Sequence, residues 1–151
     1  MSVMNVVRVT KENYEQFSKM VYYRQHKKEG YGDSLEVIMN ELENPNLYVY
    51  ALDLDGLYVG WISCVYIPKV SKWKGHGHVY VDELYVEDAY RNLGYAKALM
   101  AKADELCVKL NAHGVRLYVN IENDVAKQLY ESCGYKMDGT AYFMEKVNES
   151  N

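Results

Sequence analysis

A dipeptide near the middle of the chain constrains the fold more than any other short segment. Asp55-Gly56 separates residues 47–54 from residues 57–67, and both flanking segments are rich in Val, Ile, Tyr or Trp. An Asp-Gly pair between two such runs is a strong local signal for a tight β-hairpin turn, because these residues tolerate the positive φ angles of that turn. The sequence therefore predicts an antiparallel pair of strands here.

Other strand and helix patterns surround this hairpin. The spacing of apolar residues and the positions of turn residues predict a strand over 6–9, a helix over 11–26 capped by Thr10, a helix over 34–44, a strand over 78–86, a helix over 96–110, a strand over 114–121, a helix over 123–134 and strands over 135–140 and 142–146. This order is typical of the α/β (α+β) class. We expect a mixed central sheet of about six to seven strands flanked by about four helices.

Length and composition indicate one ordinary globular domain. A chain of 151 residues with 49% hydrophobic and 25% charged residues closes one hydrophobic core and is short for two domains. No apolar run approaches the roughly 20 residues that span a bilayer, and the first residues lack the layout of a secretory signal. The expectation is a single domain over residues 1–151, located in the cytoplasm.

Charge, cysteines and histidines argue against several kinds of site. A net charge of −4 disfavours nucleic acid as the main partner, because a phosphate backbone attracts clustered Lys and Arg. Cys64, Cys107 and Cys133 are odd in number and widely spaced, which indicates reduced thiols rather than disulfides or a zinc site. His76 and His78 share a strand face without a further ligand, so we interpret them as substrate-side or solvent-exposed residues. No metal is expected.

A strand, a tight turn and a helix start follow one another over residues 81–100. The turn contains Gly94 and the small Ala96. Backbone N–H groups and the helix dipole at such an N-terminus bind phosphate oxygens, and small residues let a ligand approach the backbone. Arg91 and Lys97 add positive charge. The segment predicts an anion site, although it lacks the G-K-S/T of a Walker loop and the glycines of a dinucleotide fingerprint.

The residues of this turn resemble a known family. RNLGYA at residues 91–96 is similar to the R/Q-x-x-G-x-G/A cofactor loop of the GNAT superfamily of acetyl-CoA-dependent N-acetyltransferases, and ELYV at 83–86 is similar to the strand that leads into it. Asn92 stands where many members have glycine. Residues 123–135 resemble a second family signature, N-x-x-A-x-x-L/F-Y-x-x-x-G-F/Y. Together with the element order, the resemblance covers roughly residues 5–146.

The resemblance implies that the chain binds acetyl-CoA, and it assigns roles to the matched residues. The backbone of Leu84 and Val86 would pair with the pantetheine arm as an added strand. The amides of residues 92–97 would hold the pyrophosphate, Asn123 would touch the pantetheine region, and the Tyr130 hydroxyl would lie near the thioester sulfur. The implied cofactor-binding residues are Leu84, Tyr85, Val86, Arg91, Asn92, Leu93, Gly94, Tyr95, Ala96, Lys97, Asn123 and Tyr130.

Acetyl transfer to an amine needs a base for the amine proton and an acid for the leaving thiolate. Tyr130 is the candidate acid. The usual pKa of a phenol, about 10, lies above that of a thiol, about 8.5, so the transfer of its proton to the thiolate requires assistance from the local environment. Asp82 and Glu83 are the candidate bases, but strand neighbours point to opposite faces unless a bulge intervenes, so only one would face the pocket. Resemblance to polyamine-acetylating relatives favours Asp82, whereas Glu83 matches the wider family pattern; both stay candidates.

The expected function is direct transfer of the acetyl group of acetyl-CoA to a primary amine of a small molecule, of the polyamine, amino acid or aminosugar type. The alternatives are a non-catalytic acyl-CoA-binding or sensor module, an acetyltransferase for protein N-termini or lysines, and a plain phosphate- or nucleotide-binding protein. Edge strands near the C-terminus permit a homodimer. The first two helices and residues 68–77, which would shape the acceptor pocket, carry no motif that identifies the amine.

Overall fold

The computed structural model describes residues 3–70 and 77–149. Its elements, in chain order, are β1 (Met4–Arg8), α1 (Tyr14–His26), α2 (Leu35–Leu42), β2 (Leu47–Leu54), β3 (Leu57–Ile67), β4 (His78–Val86), α3 (Tyr95–Lys109), β5 (Val115–Arg116) and α4 (Asp124–Ser132). A short 3-10 turn over Asp88–Tyr90 lies between β4 and α3. The four predicted helices are present, and the α/β class is confirmed.

The strands form one mixed sheet in the order β1-β2-β3-β4-β5. β1 to β4 run antiparallel to their neighbours, and β5 runs parallel to β4. The predicted hairpin forms around Asp55 and Gly56, whose φ angles are 52° and 92°. α3 connects the two parallel strands, since parallel neighbours need a crossover of this length.

Helices pack on the sheet through apolar stripes. On the α1 side, the Phe17 ring contacts Trp61, with ring centroids 5.5 Å apart, and Trp61 contacts Tyr85 at 4.8 Å. α3 contacts every strand of the sheet and buries residues three or four positions apart, as one face of a helix requires: Leu99, Met100, Ala103 and Leu106. These contacts fix β4, which carries the candidate site residues.

The sheet has fewer strands than the sequence predicted. In residues 3–70 and 77–149 there are five strands, not six to seven, and none lies within 135–149. The adjacent side chains of Tyr142 and Phe143 are 96% and 86% exposed, whereas a half-buried strand would bury one of two neighbours. Strand propensity does not produce a strand where the backbone lacks a pairing partner.

β5 is also shorter than the predicted strand over 114–121. Its pairing with β4 ends at Arg116, opposite Tyr80. Two residues later, at Asp82, β4 contains a bulge. A bulge bends its strand and increases the local twist, which accounts for the end of the pairing at this position.

The chain separates into two compact units, Met1–Tyr118 and Val119–Asn151. The first contains the sheet with α1, α2 and α3, and the second contains α4.

The three cysteines are free thiols, and burial raises the pKa of Cys64 to about 12, so this thiol is protonated at neutral pH. Among the described helices, none is long and apolar enough to cross a membrane.

Gly60 of β3 is predicted to tolerate no side chain. It pairs with Val86, and a Cβ atom at Gly60 would lie 2.5 Å from the Tyr85 carbonyl oxygen. Gly60→Ala should therefore lower the free energy of unfolding by about 1–3 kcal/mol, as measured by urea denaturation. Gly114→Ala is the control, because a Cβ there meets nothing within 4 Å. Equal losses for the two variants would contradict the close approach of β3 and β4.

Candidate active site

The turn between β4 and α3 presents a run of free backbone amides. Gly94 is the N-cap of the 15-residue α3, with a φ angle of 85°, and no side chain caps the helix. Within the described parts of the chain, no acceptor takes the amide hydrogens of residues 92–97. Asn92 has a φ angle of 63°, a conformation that Asn adopts more easily than most side chains. Free N–H groups at a helix start are the arrangement that binds phosphate oxygens.

Arg91 holds this turn against the end of β4. Its Nε donates a hydrogen bond to the Val86 carbonyl oxygen at 2.8 Å, and its guanidinium pairs with the Asp88 carboxylate at 2.9 Å. Asp88 therefore partly offsets the positive charge that Arg91 was expected to add to the anion site. Lys97 is exposed and has no ion-pair partner among the residues described. The amides and Lys97 are therefore the groups best placed to meet a phosphate.

One edge of β4 is open beside this turn. β5 pairs with β4 only at Val79 and Tyr80, so residues 81–86 have no described strand neighbour on that side. Backbone groups of alternate residues point to opposite edges of a strand. The N–H of Glu87 donates to β3 at 2.9 Å, so the backbone groups of Leu84 and Val86 point to the open edge. An extended ligand could pair there as an additional strand.

A β-bulge in β4 lies at the two candidate bases. Ser63 pairs with Glu83, but the next residue, Cys64, pairs with Val81, so Asp82 has no residue opposite. The extra residue interrupts the alternation of side chains between the two faces. The expectation that only one of Asp82 and Glu83 can face the pocket assumed regular alternation, which does not hold here. Both residues are exposed.

The two carboxylates differ in their partners. The Glu83 Oε2 atom accepts a hydrogen bond from Arg24 of α1 at 3.1 Å. Asp82 has no ion pair within the part of the chain that the structure describes, and its charge contributes, after burial, to a raised pKa of Tyr80. Sequence reasoning missed Arg24, because its partner lies 59 positions away and no local pattern joins them.

The second signature sets both ends of α4. Asn123 is the N-cap, and its Oδ1 accepts a hydrogen bond from a backbone N–H of the first turn at 3.1 Å. At the other end, Gly134 has a φ angle of 93°. The N–H groups of Gly134 and Tyr135 donate to the carbonyls of Glu131 and Tyr130 at 3.0 and 3.1 Å. This pattern is a Schellman motif, in which glycine adopts the left-handed angle without strain.

Tyr130 is fixed by the same motif. Its ring contacts Tyr135, with centroids 6.3 Å apart and planes 65° from parallel, which is the side-chain contact that accompanies a Schellman motif. Burial raises the pKa of Tyr130, so its hydroxyl keeps its proton at neutral pH and is a weaker acid than an exposed phenol. The spacing of the signature therefore has a structural reason within α4, independent of any ligand.

His78 departs from one of the two interpretations that its sequence suggested. His78 is buried, only 7% exposed, so the interpretation of this residue as solvent-exposed is wrong. Burial lowers the pKa of His78, and the charges of Arg116 and Lys69 lower it further. His76 lies outside the described residues. In residues 3–70 and 77–149, no group of three or more His, Cys, Asp or Glu side chains could hold a metal ion.

Solved structures of acetyltransferases share this fold. The aminoglycoside N-acetyltransferase AAC(6')-Iy, in complex with the bisubstrate analogue CoA-S-monomethyl-acetylneamine, is 17% identical with a TM-score of 0.79, over 97% of this chain and 99% of that one. The ribosomal-protein-alanine N-acetyltransferase of Brucella melitensis biovar Abortus 2308 is 17% identical with a TM-score of 0.74, over 95% and 100% of the two chains. Likenesses at this identity show the fold alone.

Sequence comparison identifies the family. The uncharacterized N-acetyltransferase YycN of Bacillus subtilis (strain 168) is 28% identical over 102 residues, which are 67% of this chain and 63% of that protein. The matched region thus spans less than two thirds of the length of this relative. The model of the acetyltransferase (GNAT) family matches residues 8–135, a range that includes both signatures. The chain belongs to the acetyltransferase (GNAT) family.

Proposed function

We propose that this chain is one N-acetyltransferase domain that transfers the acetyl group of acetyl-CoA directly to a primary amine of a small molecule. The observation that carries the proposal is the run of free amides at residues 92–97, which follows an open strand edge at residues 81–86 after a turn of five residues. Amides at a helix start suit a diphosphate, and an open edge suits an extended amide-containing arm. Coenzyme A joins these two chemical features in one molecule.

The residues present fit acetyl-CoA, which supplies the acetyl group as a thioester. The amides of residues 92–97, with Lys97, would hold the pyrophosphate. The backbone groups of Leu84 and the N–H of Val86 would pair with the pantetheine arm, since the Val86 carbonyl already accepts a hydrogen bond from Arg91. The Oδ1 atom of Asn123 already caps α4. Its side-chain N–H groups would therefore donate the hydrogen bonds to the pantetheine arm.

Two proton transfers are assigned to this chain. Asp82 takes the proton of the acceptor amine, directly or through water, because its carboxylate has no ion-pair partner among the described residues. Glu83 is the weaker candidate, since Arg24 competes with a substrate proton for its oxygens. Tyr130 gives its proton to the leaving thiolate. Burial raises its pKa, so the phenol is protonated at neutral pH, and its transfer of a proton to the more weakly basic thiolate depends on the groups around it.

A small amine as acceptor is supported by charge and by the relatives. The chain carries a net charge of −4, and two adjacent exposed carboxylates lie beside the open edge of β4. An ammonium-bearing molecule is attracted to such a surface. AAC(6')-Iy, which shares the fold, is an aminoglycoside N-acetyltransferase by name, which supports an amine-bearing small molecule here.

Thiol release tests the proposal, with Tyr130→Phe as the informative variant. Protein mixed with acetyl-CoA and a panel of primary amines should release free thiol with at least one amine. Removing the phenolic proton should lower kcat about 100-fold, as the loss of a general acid does, with little change in the Kd of coenzyme A by calorimetry.

Tyr142→Phe is the matched control, because the Tyr142 side chain is 96% exposed and has no assigned role. If none of the amines in the panel causes thiol release, although coenzyme A binds measurably, the proposed catalysis is contradicted. An unchanged kcat in Tyr130→Phe would remove Tyr130 from the mechanism.

The pair Asp82→Asn and Glu83→Gln separates the two carboxylates. Loss of the general base should lower kcat about 100-fold in Asp82→Asn, as measured by thiol release at saturating amine. Glu83→Gln should retain most of kcat. The assignment is contradicted if Glu83→Gln loses kcat while Asp82→Asn keeps it.

A further inference from the structure

Arg24 lies in an aromatic and acidic cage that the sequence did not indicate. Its guanidinium carbon is 5.1 Å from the centre of the Trp61 ring and 4.7 Å from the centre of the Tyr85 ring. Its Nη1 donates to Glu83 Oε2 at 3.1 Å. Ring faces and a carboxylate attract any cation in this geometry, so these residues form a cation site that Arg24 occupies; we call it the Arg24 cage.

The fold fixes the walls of the Arg24 cage. Trp61 and Tyr85 are paired residues of β3 and β4, and Glu83 is paired with Ser63 two residues along the same ladder. The two rings are only 3% and 7% exposed, and Phe17 contacts the edge of the Trp61 ring. Trp61 and Tyr85 are therefore part of the packed core, and the β3–β4 ladder holds the backbone of all three wall residues.

Arg24 itself is held much less firmly. Its side chain is 39% exposed and that of Glu83 is 48% exposed, so water reaches the ion pair. An ion pair at this exposure contributes little to stability. Arg24 also lies in the last turn of α1, and its long flexible side chain can leave the rings without moving the helix. A competing cation could replace it.

We propose that the Arg24 cage binds a cationic group of the acceptor, and that Arg24 occupies this site until the acceptor displaces it. This inference rests on the proposed function. Glu83 directly precedes Leu84, where the open edge begins to offer backbone groups, and follows Asp82, the proposed base. The amine that reacts must lose its proton, whereas the group on the rings stays charged. The acceptor class is therefore an amine with a second amino group that remains protonated while it is bound.

Calorimetric binding of 1,3-diaminopropane tests the inference without requiring turnover. In Arg24→Met, the competing cation is absent, and the Kd of the diamine should fall about three- to tenfold relative to wild type. Arg24→Lys retains a cation and should bind as wild type does. Glu83→Gln, in the wild-type background, should weaken binding of the diamine.

Lys19→Met is the matched control, because it removes one positive charge from the same helix at a residue that lies over Tyr31, not in the Arg24 cage. A general charge effect would tighten binding equally in Lys19→Met and Arg24→Met, and this result would overturn the inference. Unchanged or weaker diamine binding in Arg24→Met would also overturn it. If Arg24→Met does not fold, unchanged diamine binding in Glu83→Gln overturns it instead.

A second ligand, 3-aminopropanoate, distinguishes the opposite role for Arg24. If Arg24 recognised an anionic group, Arg24→Met would lose affinity for this carboxylate-bearing amine and gain none for the diamine.

Failure of catalysis is a separate outcome. Wild-type protein that binds the diamine through the Arg24 cage but releases no thiol would contradict the proposed function and leave the cation site supported.

Discussion

The candidate site depends on the turn between β4 and α3, where the backbone N–H groups of residues 92–97 have no hydrogen-bond acceptor among the described residues. β4 is fixed by its ladder with β3 and by packing against α3, so the positions of its last residues are set by the core. The amides that follow have no protein acceptor among the described residues. Unpaired N–H groups are tolerated at a protein surface because water takes them, and a diphosphate can replace that water. The core thus fixes the position of these donors while leaving them free for the proposed ligand.

Both family signatures have a local structural meaning. The first places Gly94 at the left-handed N-cap of α3. The second places Asn123 and Gly134 at the two caps of α4, and it places Tyr130 where it contacts Tyr135. A residue that caps a helix and also meets a ligand couples the ligand site to the folding of that helix. The signatures therefore specify backbone geometry, and the proposed chemistry would use the positions that result.

The sequence predicted features that depend on local backbone preferences. The hairpin at Asp55-Gly56, the helix start at Gly94 and the short helix ending at Gly134 each follow from a residue that favours a particular φ angle. Features that depend on distant partners were missed. The bulge at Asp82 is a mismatch between β3 and β4, and no pattern within β4 indicates it. The ion pair between Arg24 and Glu83 joins two elements in the same way.

The terminal strands were predicted wrongly for a related reason. Residues 135–146 have the composition of strands, but composition states only which conformation a segment favours once it is paired. The solvent-exposed interpretation of His78 was also wrong, because the burial of this residue depends on what packs around its strand and not on the histidine itself. The resemblance to the family identified acetyl-CoA as the ligand, whereas the residue patterns by themselves indicated only an anion site.

Backbone amide shifts measured by NMR on 15N-labelled protein test the central claim most directly. Coenzyme A should shift the amide resonances of residues 92–97 together with those of Leu84 and Val86. Pantetheine, which lacks the diphosphate, should shift Leu84 and Val86 and leave residues 92–97 nearly unmoved. Coenzyme A that binds without shifting the amides of residues 92–97 would contradict the account.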